Sequence, residues 1–539
     1  MGSVRPPALC PQWRAEARPH AGKDPLVEFP EHPPPTESRS INRRTLLKAG
    51  GAIGGATALL SALDVAAWKP MRNSASAAGA PSDIQHDIGA FIAPAFEREG
   101  VRLQFGPVFT TFATATLSRL PTRAEQATFT AALARIEQAY AFSPSGVFVF
   151  VSYGRPYFNK LPGGLNAGSV AFQRIPKLIN NANRLALEEA VPSPTDVGQP
   201  GITKRKFNVP VRIESNDMLF TVRSDNAGNI SDVLNWLNGS NRLRGANVPS
   251  PGLPWTFTSS RVMFQQLGMI RSVAVQNNLF YADRIQDISP MWMGFADQQT
   301  NSSGPALITT FQGNSSARLT NARAGDYFDN GSIQHLSHVL LDLEAYYAKE
   351  GEGAGDEDET FLERVQYMFR SNPPPHRGNP GDPFASGGGP SFVNNDFRGP
   401  NDVVASAQGI GTDVDDETGE TQHRIGHEAA LQRSSRAADG TPIHIRMDGA
   451  GFDRMDVPAN VPRPGTSGNV PKLQFTVFVP TADFFATMRR NAASLDLQNQ
   501  FDVDEADNGL ERFLTTTRRQ NFLSPARRNR AFPLREMFP

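Results

Sequence analysis

Apolar residues recur with two different periods after residue 100 and predict alternating strands and helices. Residues 103–117 and 146–152 are rich in Phe, Val and Thr, a composition typical of β-strands. Between them, Pro121-Thr-Arg-Ala-Glu125 is a helix start. The apolar positions that follow it at helical spacing are Phe129, Leu133, Ile136 and Tyr140. Strand, helix and strand in this order predict half of a ferredoxin-like unit.

The same alternation continues towards the C-terminus. Residues 216–223 have a strand pattern and residues 229–237 a helical one. Residues 472–480 alternate again and lead into a helix at 481–490, after which residues 509–523 close the domain. The pattern therefore predicts an α+β protein.

Composition narrows the class of protein. The 539 residues are 39% hydrophobic and 20% charged with a formal net charge of −1, as in a globular protein. No basic stripe with interleaved aromatic residues suggests nucleic acid. The one cysteine, Cys10, excludes an intrachain disulfide or thiolate metal site and leaves the body of the protein without a cysteine nucleophile. The sequence does not fix the oligomeric state, and a homo-oligomer is compatible with it.

An export signal is predicted near the N-terminus. Asn42-Arg-Arg-Thr-Leu-Leu-Lys48 precedes a weakly apolar run, residues 49–68, and a small-residue stretch, residues 74–80. This order is that of a signal peptide, and the paired arginines resemble a twin-arginine signal. The alternative is a disordered or amphipathic tail that happens to contain Arg-Arg. We expect an exported, periplasmic or extracellular protein, and no later run of about 18 apolar residues predicts a membrane span.

The stretch from residue 420 to 448 holds the strongest candidate site. His423 and His427 are four residues apart, an arginine pair follows, and Arg446 lies further on in an apolar run. A haem pocket needs an imidazole for iron and cations for the propionates and the bound oxygen. Either His427 or His423 could bind the iron, unless this stretch holds no haem ligand, and the family resemblance described below favours His427. Arg433 and Arg436 are candidates for the propionates, or else exposed helix residues.

Two further segments contribute candidate residues. Gly294-Phe-Ala-Asp297-Gln298 places an acid after an aromatic and Met-containing segment. Asp297 is either a proton-transfer group or a turn or capping residue. His335 and His338 are spaced three apart and could share a helical face as metal ligands, although packing or hydrogen-bonding roles at a strand-to-helix transition are favoured.

Together these segments resemble the dye-decolourising (DyP-type) haem peroxidase family over about residues 103–523. Asp297 matches the acid of that family's Gly-x-x-Asp-Gly motif, while Gln298 replaces its second glycine. Asp342-Leu-Glu-Ala-Tyr346 is similar to another family segment, and His427 and Arg446 are 19 residues apart, in keeping with the family's proximal histidine and distal arginine.

The resemblance implies two ferredoxin-like halves of the dimeric α+β barrel type, with an antiparallel sheet core and peripheral helices. We assign residues 1–80 to a disordered N-terminus and signal peptide, 81–286 to the N-terminal half, and 287–539 to the haem-binding half with a long loop at 371–419.

The resemblance also implies haem b as cofactor, with hydrogen peroxide and a small organic, dye-like or phenolic, electron donor as substrates. Asp297 and Arg446 would be catalytic. Asp448 would share the face of Arg446, His444 would line the pocket, and Asp483 is a candidate partner of the proximal imidazole. A haem-binding or delivery protein on the same fold, which Gln298 favours, and a cofactor-free secreted binding protein are the alternatives.

Overall fold

A closed ring of antiparallel strands forms the centre of the protein in this computed structural model. The structure describes residues 81–87, 105–199, 203–204, 206–285, 289, 291–293, 310–313, 319–347, 444–462, 465, 467–503, 505, 508 and 510–539, and the backbone of the strands at 96–98, 101–103, 413–414 and 421–422. In chain order its strands are β1 (Phe96–Arg98), β2 (Val101–Leu103), β3 (Phe109–Leu117), β4 (Phe148–Tyr153), β5 (Lys177–Leu178), β6 (Asn181–Leu185), β7 (Arg212–Ile213), β8 (Met218–Ser224), β9 (Arg242–Leu243), β10 (Ala246–Asn247), β11 (Trp255–Phe264), β12 (Ser332–Leu341), β13 (Asp413–Val414), β14 (Thr421–Gln422), β15 (Ile445–Arg446), β16 (Gly449–Asp453), β17 (Val470–Val479) and β18 (Leu514–Ser524).

Helices flank these strands. They are α1 (Arg123–Ala139), α2 (Arg155–Lys160), α3 (Val170–Arg174), α4 (Ala227–Leu237), α5 (Met269–Gln276), α6 (Leu343–Tyr346), α7 (Ala482–Ala493) and α8 (Leu495–Phe501), with 3-10 turns at Glu511–Phe513, Arg527–Asn529 and Arg535–Met537.

The first four long strands form a ferredoxin-like sheet. They are β3, β4, β8 and β11, with α1 between the first two and α4 between the last two. Their order across the sheet is β11-β3-β8-β4, and every neighbouring pair is antiparallel. In terms of chain order this is fourth, first, third, second.

The second half repeats this order. Its first strand is β12. Its second strand is interrupted and consists of β15 and β16, which both pair with β17 in one continuous register. Its third and fourth strands are β17 and β18. The order β18-β12-β17-β16 is again fourth, first, third, second. The α+β fold with two ferredoxin-like halves, expected from the sequence, is confirmed.

The two sheets join at both edges, so that eight strands pair in a ring. β16 meets β11 at Ala450 and Phe264, and β18 meets β4 at Leu523 and Tyr153. In each seam the second strand of one half lies beside the fourth strand of the other. Within the described chain one register pair forms each seam, which makes the seams the weakest-paired places of the ring.

Side chains inside the ring differ from those outside it. An inner apolar cluster draws one residue from each of five strands of both halves: Phe112, Leu219, Met263, Leu336 and Phe522. Gln334 of β12 donates to Thr221 Oγ1 of β8, three strands away around the ring, at 3.0 Å. Because neighbouring residues of a strand alternate between faces, the others point outward and build the main core with the helices.

Local sequence explains where α1 begins and where β3 begins. Thr122 Oγ1 accepts from Glu125 N, and the Glu125 carboxylate accepts from Thr122 N, which is the predicted helix start in the form of a capping box. The strand predicted at 103–117 is interrupted between β2 and β3. Gly106 lies against the guanidinium of Arg223, and Pro107 has no N–H to pair.

Among the described residues, every helix is too short or too polar to cross a bilayer. The division of the chain at residues 80 and 286 stays a prediction.

Candidate functional site

Arg446 lies on the outer face of the second sheet. Its neighbours Ile445 and Met447 pack inside the ring with Phe148, Phe150 and Phe478. The half-buried Arg446 therefore points outward, and so by alternation do His444 and Asp448. β15 places Arg446 on a strand, as expected from the sequence, and the shared face of the three side chains stays a prediction from strand alternation.

A row of directly paired residues crosses this outer face. Arg446 pairs with Val477, Val477 with His335, and His335 with Asn521, through β15, β17, β12 and β18. Since Val477 separates Arg446 from His335, about 10 Å lies between their backbones, or two strand spacings. Val477 is fully buried in the main core, so Arg446 has an apolar neighbour on this face.

His335 is a fully satisfied structural residue. Its ring stacks on Phe485 of α7 with centroids 3.3 Å apart, and its two nitrogens lie 2.6 Å from Asn521 Oδ1 and 2.6 Å from Ser337 Oγ. Burial holds the pKa of this imidazole well below its usual range, so it is neutral at pH 7. With both nitrogens engaged, His335 has no lone pair directed at a ligand.

His338 lies inside the ring. It is fully buried, with Nδ1 3.3 Å from Asp456 and Nε2 3.7 Å from Asp453. Both histidines belong to β12, not to a helix, and residues three apart on a strand face opposite ways. The alternative that His335 and His338 jointly bind a metal is therefore wrong.

A polar network fills this end of the ring and is absent from the sequence predictions. Glu214 pairs with the fully buried Arg261 and, at 3.1 Å, with Arg518. Arg518 in turn forms a two-pronged pair with Asp456, at 2.5 and 2.6 Å.

Lys472 completes the network beside Asp453. Burial alone would raise the pKa of the Asp453 carboxyl, but Lys472 at 3.5 Å and His338 outweigh it and hold the pKa well below its usual range. The members of this network come from segments far apart in the chain, such as Glu214, Asp456 and Arg518, so no local sequence pattern reports it.

The segment before the predicted acid is anchored by Tyr346, the last residue of α6, and by Tyr347, which follows it. Tyr347 Oη donates to the carbonyl of Trp292 at 2.6 Å, and Tyr346 Oη to that of Met293 at 3.0 Å. Trp292 Nε1 donates to the carbonyl of Gly451 in β16 at 2.9 Å. These contacts connect α6, residues 291–293 and β16.

The remaining predicted site residues lie outside the described part of the chain. They are Asp297, Gln298, His423, His427, Arg433 and Arg436. Asp483 is described: it lies near the start of α7, is half exposed, and accepts from Arg184 at 3.2 Å. In the described part of the chain no group of three or more His, Cys, Asp and Glu side chains could hold a metal ion.

No family model and no curated protein matches the chain. The chain is similar to solved structures of DyP-type peroxidases. A dye-decolorizing protein from V. cholerae has 11% identity and a TM-score of 0.38, covering 78% of this chain and 94% of its own. The encapsulated DyP-type peroxidase from Mycobacterium smegmatis has 14% identity and a TM-score of 0.37, with coverage of 78% and 94%.

A third structure, a variant of DypB from Rhodococcus jostii in complex with heme, has 12% identity and a TM-score of 0.34, covering 79% of this chain and 95% of its own.

Proposed function

We propose that the protein is a haem-dependent peroxidase that reduces hydrogen peroxide and oxidises a small organic donor. The observation that carries the proposal is the position of Arg446. It lies on the outer face of the second ferredoxin-like half, beside the buried Val477, and 19 residues after His427. A permanent cation beside an apolar surface suits a dry oxyanion site.

The residue types at hand fit haem b. The peroxide side of a porphyrin needs one cation, which Arg446 would supply next to the apolar Val477 of the main core. His427 would bind the iron, and Arg433 and Arg436 the propionates, because a guanidinium can bind a carboxylate with two hydrogen bonds. When bound, haem supplies the redox-active iron that accepts peroxide and takes electrons from the donor.

Two side chains of this chain have proposed roles in the chemistry. Asp297 would take the proton from one peroxide oxygen and deliver it to the other, so that no free hydroxide has to leave. Arg446 would stabilise the negative charge that develops as the O–O bond breaks. Both roles depend on the exclusion of water, since electrostatic interactions are strongest in a dry site.

A second candidate is haem binding or delivery without turnover. Gln298 favours it, because glutamine resists the positive φ or close backbone approach that glycine permits at the corresponding family position. In either case we propose that the signal at residues 42–80 directs export outside the cytoplasm.

The test is an absorption spectrum of the mature protein supplied with haem, for the wild type and His427→Ala, before and after hydrogen peroxide. A Soret band that responds to peroxide and is lost or displaced in the variant supports the peroxidase. A band without a peroxide response supports haem carriage. Absence of a band in the wild type rejects haem and favours a cofactor-free binding protein.

A further inference from the structure

The polar network at one end of the ring crosses the full width of its interior. β18 is reached from β11 through three strands in either direction, β3, β8 and β4 or β16, β17 and β12, so the two strands lie on opposite sides. Glu214 bridges them, because its carboxylate pairs with Arg261 of β11 and, at 3.1 Å, with Arg518 of β18. The Arg261 guanidinium therefore lies inside the ring.

The charges connected to this bridge do not cancel within the described part of the chain. Arg212 lies 3.7 Å from Glu214, and His338 connects the carboxylates of Asp456 and Asp453, at 3.3 and 3.7 Å. We call the charged residues joined by these contacts the inner cluster: the cations Arg212, Arg261, Lys472 and Arg518, and the carboxylates Glu214, Asp453 and Asp456. Four cations against three carboxylates leave a surplus of one positive charge.

The inner cluster extends from the protein surface to the interior of the ring. The side chain of Arg212 is 60% exposed, that of Arg518 15%, and that of Arg261 0%. Glu214, which contacts all three arginines, is 7% exposed. A path of charged groups thus leads from solvent to Arg261, along which an ion of opposite sign is attracted.

Arg261 has buried hydrogen-bond donors that no described residue uses. Its Nη2 donates to Glu214, whereas Nε and Nη1 have no hydrogen-bond partner among the described residues. The same is true of Gln474 Oε1 and His338 Nε2, whose residues are directly paired on β17 and β12 and face the same interior. Buried polar groups are almost always paired, because an unpaired one loses its bonds to water without replacement. We therefore expect a bound acceptor at Arg261.

We propose that the inner cluster binds one small monovalent carboxylate at Arg261. Its oxygens accept hydrogen bonds from the unused donors of the guanidinium, which matches a carboxylate in charge and planarity. Its single negative charge balances the surplus cation of the cluster. The site lies inside the ring, whereas Arg446 points outward from the second sheet, so the proposal does not depend on haem or on the peroxidase function.

Formate is the probe, in isothermal titration calorimetry of the mature protein as purified. Ionic strength is held constant with gluconate, a much larger carboxylate. We expect one formate per chain with a dissociation constant of about 0.5 mM at best, since three non-hydrogen atoms limit the affinity. Chloride in place of formate tests charge without shape. Absence of formate binding would leave water at these atoms and overturn the proposal, as would equal affinities for chloride and formate.

Arg261→Lys tests the interior end of the site. The variant keeps a positive charge beside Glu214 but removes Nε and Nη1, so formate should bind about tenfold more weakly or worse. Arg519→Lys is the matched control, because Arg519 is equally buried and is paired with Asp196 on the outer face of β18. Melting temperatures show that both variants fold. Wild-type affinity in Arg261→Lys, or an equal loss in the two variants, would overturn the site.

Arg212→Gln tests the surface end and decides the matter even if Arg261→Lys does not fold. Since Arg212 is exposed, its replacement should leave the fold intact. Formate should bind about threefold more weakly at low salt, with a smaller difference at high salt, because the surplus charge is removed and salt screens its effect. Arg119→Gln, at another exposed arginine, should bind formate as the wild type does. Equal affinities in Arg212→Gln and Arg119→Gln at low salt would overturn the proposal.

Discussion

Gln85 pairs with Val151 as a neighbouring strand would. Its side-chain amide accepts from Val151 N and donates to Val151 O, both at 2.9 Å, and also donates to Pro525 O at 2.9 Å. Val151 belongs to β4 and Pro525 follows β18, so the amide bridges the seam where these strands share the register pair Leu523 and Tyr153. The segment at residues 81–87 is therefore part of the ring closure.

Gln85→Ala should destabilise the protein by about 2–4 kcal/mol, because it leaves buried backbone groups of Val151 and Pro525 unpaired. Chemical denaturation of the mature protein measures the change. Gln276→Ala, at an exposed position in α5, should stay within about 0.5 kcal/mol of the wild type. Equal stabilities for the two variants would contradict a closing role of Gln85.

His86 predicts an acid-dependent loss of stability. The imidazole is fully buried, stacks on Phe478 with centroids 4.7 Å apart, and has its pKa lowered by burial to about 3. Below pH 6.5 the unfolded chain binds a proton here that the folded protein does not. The contribution of His86 to the free energy of unfolding is therefore complete above about pH 6.5. It falls by about 1.4 kcal/mol per pH unit as the pH is lowered towards 3.

His86→Phe keeps a ring on Phe478 and removes the titration. Between pH 6.5 and pH 5 the wild type should lose about 2 kcal/mol more than this variant in urea unfolding experiments. Ser332→Ala, which removes the hydroxyl 3.3 Å from His86 Nδ1, should retain the wild-type dependence. Parallel pH profiles of the wild type and His86→Phe would refute the assignment.

Local chemistry made some elements predictable from sequence. The helix start at Thr122 and Glu125 depends on residues three apart, and the strand at residues 472–480 shows its alternation directly. β12 was harder, since both of its faces are buried and its polar residues His335 and His338 serve two different environments. β11 is not among the predicted strands, because polar Thr and Ser residues dominate its first half.

The closing of the ring and its polar interior could not be read from the sequence. The seams join residues as far apart as Tyr153 and Leu523, and no local periodicity reports such a pairing. For the candidate site, the resemblance to the DyP-type family implied that Arg446 lies on a strand, and β15 contains it. The tyrosine contacts to Trp292 and Met293 depend on tertiary packing and leave no sequence pattern.

Breaking the buried ion pair of Arg519 with Asp196 should cost far more stability than breaking an exposed pair. Arg519 is 1% exposed and donates to both carboxylate oxygens of Asp196, at 2.5 and 2.9 Å. Asp196→Asn leaves the guanidinium without its counter-charge and should cost about 3–5 kcal/mol. Arg119→Gln, in a pair whose arginine is 54% exposed, should leave the denaturation midpoint close to that of the wild type in the same assay.

Arg446→Leu tests the peroxidase directly. If Arg446 stabilises charge as the O–O bond breaks, the rate of reaction with peroxide should fall by about 10²–10³-fold while the Soret band is retained, since the iron ligand is unchanged. Arg446→Lys should recover part of the rate, because it keeps the charge but loses the planar fork. Stopped-flow absorption after mixing with peroxide measures both rates.

The control is Arg454→Leu, at an exposed arginine just beyond β16, which should react with peroxide at the wild-type rate. A wild-type rate in Arg446→Leu would remove Arg446 from the mechanism, whereas loss of the Soret band would assign it to haem binding instead.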